Sequence, residues 1–220
     1  MTERLPKFLW LWIPLIFIAA QLVLEFTLPG SILSPMHHEN GPHELLQFFA
    51  VFAAFIVAVR TVFLPMTIWL RAWIGLAALC CLYVGGEEIS WGQHVFDWTT
   101  PEFWSGINDQ NETNFHNTSS WLDQKPKALL EIGVYVGGLV IPSLLRYRPQ
   151  WLPKKFTVIY PTSLLAVTAL IALAIMLVHK ILEQGMGIHI FTRANEVQEL
   201  YLYYFTLLYL LILRARILQK

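Results

Sequence analysis

The sequence has little charge and almost no cysteine. Asp, Glu, Lys and Arg make up 14% of its 220 residues and hydrophobic residues 56%, whereas roughly a quarter of an average soluble chain is charged. With a mean hydropathy of +0.52, that shortage excludes an ordinary soluble domain and leaves a polytopic membrane protein. Cys80 and Cys81 are the only cysteines and are adjacent within an apolar run, where no ordinary disulfide joins them, so they carry no information about redox compartment. There is no excess of positive charge, the formal net charge being +0, and no nucleic-acid partner is expected. Internal repeats and low-complexity tracts are also missing. Arg4 and Lys7 precede a first apolar run that is too long for a secretory core, and Ala19-Ala20-Gln21 is a poor cleavage site. That run is read as an uncleaved span.

What the chain does have is apolar runs near the length of about 20 residues needed to cross the hydrocarbon layer. Six are expected, at about 8–28, 43–64, 67–84, 126–145, 156–180 and 196–213. The fold class is therefore all-α, a polytopic membrane helix bundle forming a single integral membrane domain over 1–220. Pro29-Gly30 is expected to end the first span, Gly85-Gly86 the third, and Pro126 to open the fourth. One long polar segment, 85–125, interrupts the pattern and is read as lying at the membrane surface.

Lys and Arg sort unevenly along this topology. Arg4, Lys7, Arg60, Arg71, Arg146, Arg148, Lys154, Lys155, Arg214, Arg216 and Lys220 fall on one side; Lys125, Lys127, Lys180 and Arg193 fall on the other. Eleven against four places both termini in the cytoplasm and 85–125 outside, because cytoplasmic loops retain positive charge. All seven histidines and every acid except Glu3 then lie on the outer side or at the outer end of a span. Longer outer loops that must stay wet account for Asp97, Glu102, Asp109 and Asp123. They account poorly for Glu25 and Glu131, which sit a turn or more inside a span, where an ionisable group points to a site.

Glu87 and Glu88 follow the two glycines and put two carboxylates at the membrane boundary. On a continuous helix Glu87, Trp91 and His94 share a face, with Glu87 and His94 about 10 Å apart along the axis; Gly92 permits a turn that brings them closer. Glu112 and His116, four apart, would stack on one helical face and converge on a metal, with Gln110, Asn114 and Asn117 as hydrogen-bonding neighbours. Glu196 and Glu199 open the sixth span. The helix dipole explains Glu196 easily and Glu199, a turn deeper, less well; Glu44 and Gln47 open the second span in the same way. Each pair alone has a dull explanation as helix capping or loop solvation. Together, carboxylate and imidazole groups from several segments gather at one boundary, where like charges repel unless a cation or protons sit among them.

The strings EEISWGQ (87–93) and NETNFHN (111–117) resemble motifs of bacterial multi-pass membrane proteins of unassigned function. ETNFHNTSS is also similar to part of a segment in alkaline ceramidase-like membrane hydrolases, a resemblance that implies zinc-dependent hydrolysis at the membrane face. This chain departs from that pattern in having His179 and His189 late in the sequence in place of a His-x-x-x-His pair.

The expected function is a metal-dependent membrane enzyme, hydrolase or group transferase, acting at the outer face on a lipid or lipid-linked substrate. Glu87, Glu88 and His94 are the expected catalytic residues. Glu112, His116, Glu196 and Glu199 are the expected ligands of a divalent ion: zinc by its imidazole and carboxylate donors, manganese or magnesium if carboxylates dominate. Trp91, Phe96, Trp98, Phe103 and Trp104 would anchor the polar segment among the headgroups. A non-catalytic subunit that docks a partner is the alternative. A cation transporter fits less well, since the cytoplasmic halves of the spans hold almost no ionisable groups beyond basic residues at helix ends.

Overall fold

The computed structural model describes residues 5–36, 41–108 and 110–219, with the backbone alone at 34, 94, 116, 120, 122 and 123. Among the described residues there is helix and no strand. Six helices are long and apolar enough to cross a membrane: Phe8–Thr27, Pro42–Val62, Ile68–Glu88, Gln124–Tyr147, Ser163–Gln184 and Ala194–Leu218. The protein is thus a polytopic helix bundle, as its hydropathy requires. In chain order the α-helical elements are α1 (Ile13–Thr27), α2 (Gly30–Met36), α3 (Pro42–Val62), α4 (Ile68–Glu88), α5 (Gln93–Phe96), α6 (Glu102–Ser105), α7 (Ser120–Tyr135), α8 (Ile141–Tyr147), α9 (Ala166–Val178) and α10 (Ala194–Leu218). Single π-helical stretches precede α1, join α7 to α8 and extend α9.

The bundle is built around α10. Within its most apolar window 61% of residues are buried, against 11% in the first span, the pattern of a helix enclosed on most sides. It packs against α3, α7 and α9, while α4 packs against α3 and reaches α10 through the Tyr203–Glu88 and Trp73–Tyr209 hydrogen bonds. Small residues line the buried side of α3: Ala50, Ala54 and Ala58 lie in one core with Ile74 and Ala78 of α4 and Leu202 and Leu208 of α10, as expected where lipid supplies no hydrophobic drive and packing must. Buried hydroxyls in α10 find backbone partners on neighbouring elements. Tyr201 donates to the Pro14 carbonyl at 2.9 Å, Tyr204 to Leu9 at 2.8 Å and Tyr209 to Ile159 at 3.0 Å. Such bonds matter where no water can replace them.

Three expected boundaries are corrected. The helix does not end at Gly85-Gly86 but runs on to Glu88. The glycines serve close approach instead: a Cβ on Gly85 would stand 2.9 Å from Val51, and one on Gly86 2.9 Å from the Trp91 ring. Pro126 lies in the first turn of the fourth span, Gln124–Tyr147, but does not begin its helix: α7 starts at Ser120 and carries Pro126 inside it. The fifth span begins at Ser163, not near 156. Pro161 disfavours helical geometry at Tyr160, and the carbonyls of Val158 and Tyr160 accept instead from Arg216 Nη1 at 2.9 and 2.6 Å.

Candidate functional site

Beyond α4 the chain reverses sharply. Ser90 and Trp91 take φ of 45° and 54°, and Gly92 takes 106°, a left-handed run that only glycine adopts without cost. Contacts hold Trp91 there: its indole N–H donates to Glu87 Oε1 at 2.6 Å, and its ring lies over Gly86. The turn that Gly92 allows in sequence is therefore present. It folds Trp91 back over the helix end.

The reversed chain meets the segment around Glu112. Phe115 N–H donates to Glu87 Oε2 at 2.7 Å. Glu112, 7% exposed, accepts at Oε2 from the Ser90 hydroxyl at 2.7 Å, from Asn114 Nδ2 at 2.5 Å and from Asn117 Nδ2 at 3.2 Å. Thr113 donates its N–H to Gln93 Oε1 and its hydroxyl to the Ser90 carbonyl, both at 2.8 Å. Asn108 braces the turn, accepting from Glu112 N–H and donating to Asn114. The two motifs that stand out in sequence thus close on each other as one clasp. The helical reading of 112–116 is corrected: Glu112 lies in irregular chain and only His116–Thr118 forms a short 3₁₀ turn. The buried Asn108 and Ser90 side chains satisfy the carboxylate and backbone groups that a helix would have paired internally.

Outside the clasp are apolar side chains. Phe96 is 76% exposed, Phe103 70% and Trp121 64%. Trp104 packs edge-on against both Phe103 and Phe115, with centroids 5.8 and 5.0 Å apart. An exposed aromatic surface around a hydrogen-bonded interior suits the headgroup layer.

Under the clasp, four spans bring a second group together at the same end of the bundle. Glu88 on α4 accepts from the Tyr203 hydroxyl of α10 at 2.7 Å, and the acids acting on it electrostatically are Glu199, Glu196 and Glu44. Lys127 of α7 pairs with Glu199 at 2.7 Å. Gln47 of α3, wholly buried, donates its Nε2 to the Glu196 carbonyl at 2.7 Å and to Glu196 Oε2 at 3.3 Å. Arg193 Nη1 stands 3.9 Å from Glu196 Oε1. Gln198 donates to Glu131 Oε1 at 2.7 Å and to the Tyr135 hydroxyl at 2.8 Å, which gives the intramembrane Glu131 a partner. Next to this cluster an apolar cavity of about 140 Å³ runs between α1, α3 and α10, with Phe17, Leu24, Leu46 and Leu200 in its walls and His43 and Gln21 as its polar edge.

The expected site residues divide accordingly. Glu88, Glu196 and Glu199 come together in the bundle, whereas Glu87 and Glu112 belong to the clasp. The side chains of His94 and His116 lie outside the described residues. Among the described residues no three His, Cys, Asp or Glu side chains converge closely enough to hold a metal ion. Glu25 accepts from Thr192 N–H and hydroxyl at 3.1 and 2.8 Å, and Glu183 accepts from His179 at 2.6 Å and from the Phe191 amide at 3.1 Å. Both fasten the connector before α10. Sequence reasoning treated Gln47 and Glu44 as helix-opening residues and assigned Lys127 and Tyr203 no part. The available signal was a polar side chain repeated at i, i+3 in an otherwise apolar helix. Ser90 and Asn108 carried no such signal.

No protein-family model, curated protein or solved structure matches the chain. Fold and site together define an integral membrane helix bundle with a half-buried group of carboxylates near a polar clasp.

Proposed function

We propose that the protein is a membrane-embedded enzyme, a hydrolase or group transferase dependent on a divalent ion, working at the extracytoplasmic face of a bacterial inner membrane on a lipid or lipid-linked substrate. The observation that carries this reading is the gathering of Glu44, Glu88, Glu196 and Glu199 from three spans beneath the clasp. Gathering that many half-buried acids near the membrane boundary is costly unless they serve a site. The eleven-to-four sorting of basic residues supports cytoplasmic termini and an outer position for the site. Exposed aromatics on the clasp and the apolar cavity between α1, α3 and α10 suit a substrate arriving sideways from lipid. A carboxylate there acts as general base toward water or a substrate hydroxyl. Either pair of candidate ligands, Glu112 with His116 in the clasp or Glu196 with Glu199 in the bundle, would hold the divalent ion, whose chemistry there would be to polarise a carbonyl or phosphoryl oxygen.

A second reading has one observation in its favour. Glu87 and Glu112 are engaged in hydrogen bonds that fold the clasp, so these acids also suit a non-catalytic subunit that docks a partner through Phe96 and Phe103. The test is conversion of lipids. The purified full chain, reconstituted with a bacterial lipid extract and Zn²⁺, Mn²⁺ or Mg²⁺, is followed by mass spectrometry beside Glu88→Gln and Glu199→Gln. The enzyme reading expects one lipid class to be consumed and the rate to fall by about 10²-fold or more in the variants, the usual weight of a general acid or base. If no lipid is converted with any of the three ions, the subunit reading replaces it.

A further inference from the structure

We propose that a pocket at the end of the bundle opposite the clasp binds the phosphate of one anionic phospholipid. The pocket, of about 360 Å³, lies between α8, the start of the fifth span and α10, and its size falls within the roughly 300–1,000 Å³ of small-molecule sites. Two kinds of surface meet in it. Pro142, Leu145 and Pro161 form apolar walls, while Arg146, Arg216 and Ser163 supply two cations and a hydroxyl. The pocket stands apart from the acid cluster and needs nothing from the enzyme reading.

Each polar group is set in place by the fold. Arg216 Nη1 donates to the Val158 and Tyr160 carbonyls at 2.9 and 2.6 Å, which fixes the guanidinium beside the chain entering the fifth span; carbonyls orient such a group without cancelling its charge. Arg146 is exposed and lies over the Tyr147 ring, 5.6 Å from its centroid. Thr162 Oγ1 accepts from the Leu164 amide at 3.2 Å and so caps the turn that presents Ser163, the exposed first residue of a 22-residue helix whose dipole favours an anion at that end. The described stretches that build this end, 5–12, 57–75, 139–166 and 208–219, contain no Asp or Glu, and Lys154 and Lys155 add to the basic charge around the pocket. The ligand class follows from the two surfaces together. A free phosphate would use the arginines and leave the proline and leucine walls against water, whereas a phospholipid brings phosphate and apolar matter at once. Basic pockets between membrane helices are where anionic headgroups bind.

The test is native mass spectrometry of the full chain in detergent, titrated with phosphatidylglycerol and with phosphatidylcholine of the same acyl chains, with melting recorded for every variant. One phosphatidylglycerol per chain is expected to bind more tightly than any phosphatidylcholine. Arg146→Gln should weaken it about fivefold, the weight of one basic residue beside an anionic headgroup. Arg146→Lys should restore most of the affinity, since an ammonium also binds phosphate as a point charge, an outcome that a purely structural arginine would not give. Ser163→Glu puts a carboxylate into the pocket at a helix N-terminus, where the fold tolerates it, and should abolish the preference. Arg71→Gln removes a basic residue at the same end but outside the pocket and should change nothing. Equal affinity of the wild type for the two lipids would overturn the proposal, as would a preference that survives Ser163→Glu. So would equal losses in Arg146→Gln and Arg71→Gln, the mark of a diffuse basic surface, or full displacement of phosphatidylglycerol by millimolar inorganic phosphate, the mark of a site for free anions.

Discussion

Replacing Glu87 by glutamine tests whether one carboxylate fastens the clasp to the bundle. Glu87 is 5% exposed and accepts two N–H bonds, from Trp91 at 2.6 Å and Phe115 at 2.7 Å. Glutamine is nearly isosteric but offers one oxygen and one NH₂, so one of the two donors would meet another donor. Hydrogen bonds to a charged group contribute about 1.5–3 kcal/mol, and losing one here should cost about 2 kcal/mol. At 1.4 kcal/mol per tenfold change, the opening equilibrium of 107–118 should rise about thirty-fold. Hydrogen–deuterium exchange on the full chain in lipid discs reads this directly. The Phe115 amide should exchange about thirty-fold faster, with peptides from α10 unchanged. Unchanged exchange across 107–118 would refute the fastening role, and equal acceleration in α10 would show that Glu87 supports the whole bundle.

Other consequences are as specific. Gly138→Ala places a Cβ 2.4 Å from the Ala169 Cβ and 2.8 Å from Phe205, and should lower stability by about 1–3 kcal/mol through overpacking. Gly133→Ala, with nothing within 4 Å of its Cβ, should leave the melting temperature in detergent unchanged, and similar melting of the two variants would contradict the packing. A double-mutant cycle with Lys127→Met and Glu199→Gln should give a coupling of about 1–2 kcal/mol, above that of fully exposed pairs, since both side chains are about four-fifths buried; zero coupling would show that the pair does not stabilise this end. Glu25→Ala removes the acceptor for Thr192 N–H and hydroxyl. It should speed limited proteolysis within 185–193 by about tenfold, the equivalent of one such bond, and unchanged cleavage would contradict its role there.

Hydropathy made all six spans legible, because a run of about 20 apolar residues has one stable way to satisfy its backbone in lipid. Helix ends were read less well. Gly85-Gly86 carries the same composition whether a helix breaks or a neighbour comes close, and the Val51 and Trp91 contacts that decide it lie elsewhere in the chain. Pro126 looked like a first-turn residue because Trp121 and Leu122 are cut off from the apolar run by Asp123, Gln124 and Lys125, which hides the earlier start. The clasp was visible as two motifs but not as one object. Its closure depends on left-handed geometry at Ser90 and Trp91, which sequence does not signal, and the four-residue spacing of Glu112 and His116 suggested a helix that is absent. Gln47 was hardest to read. At the start of an apolar helix it resembles any polar opening residue, and its unpaired oxygen appears only once α10 has been packed against α3.

The account depends most on which side of the membrane holds the clasp and the acid cluster. With Cys80 and Cys81 replaced, a single cysteine at the exposed Gln110 can be probed in intact cells with a membrane-impermeant maleimide, and one at the exposed Gln150, at the opposite end of the bundle, serves as counterpart. The account predicts labelling of position 110 from outside and of position 150 only after the membrane is opened; the reverse pattern would contradict it.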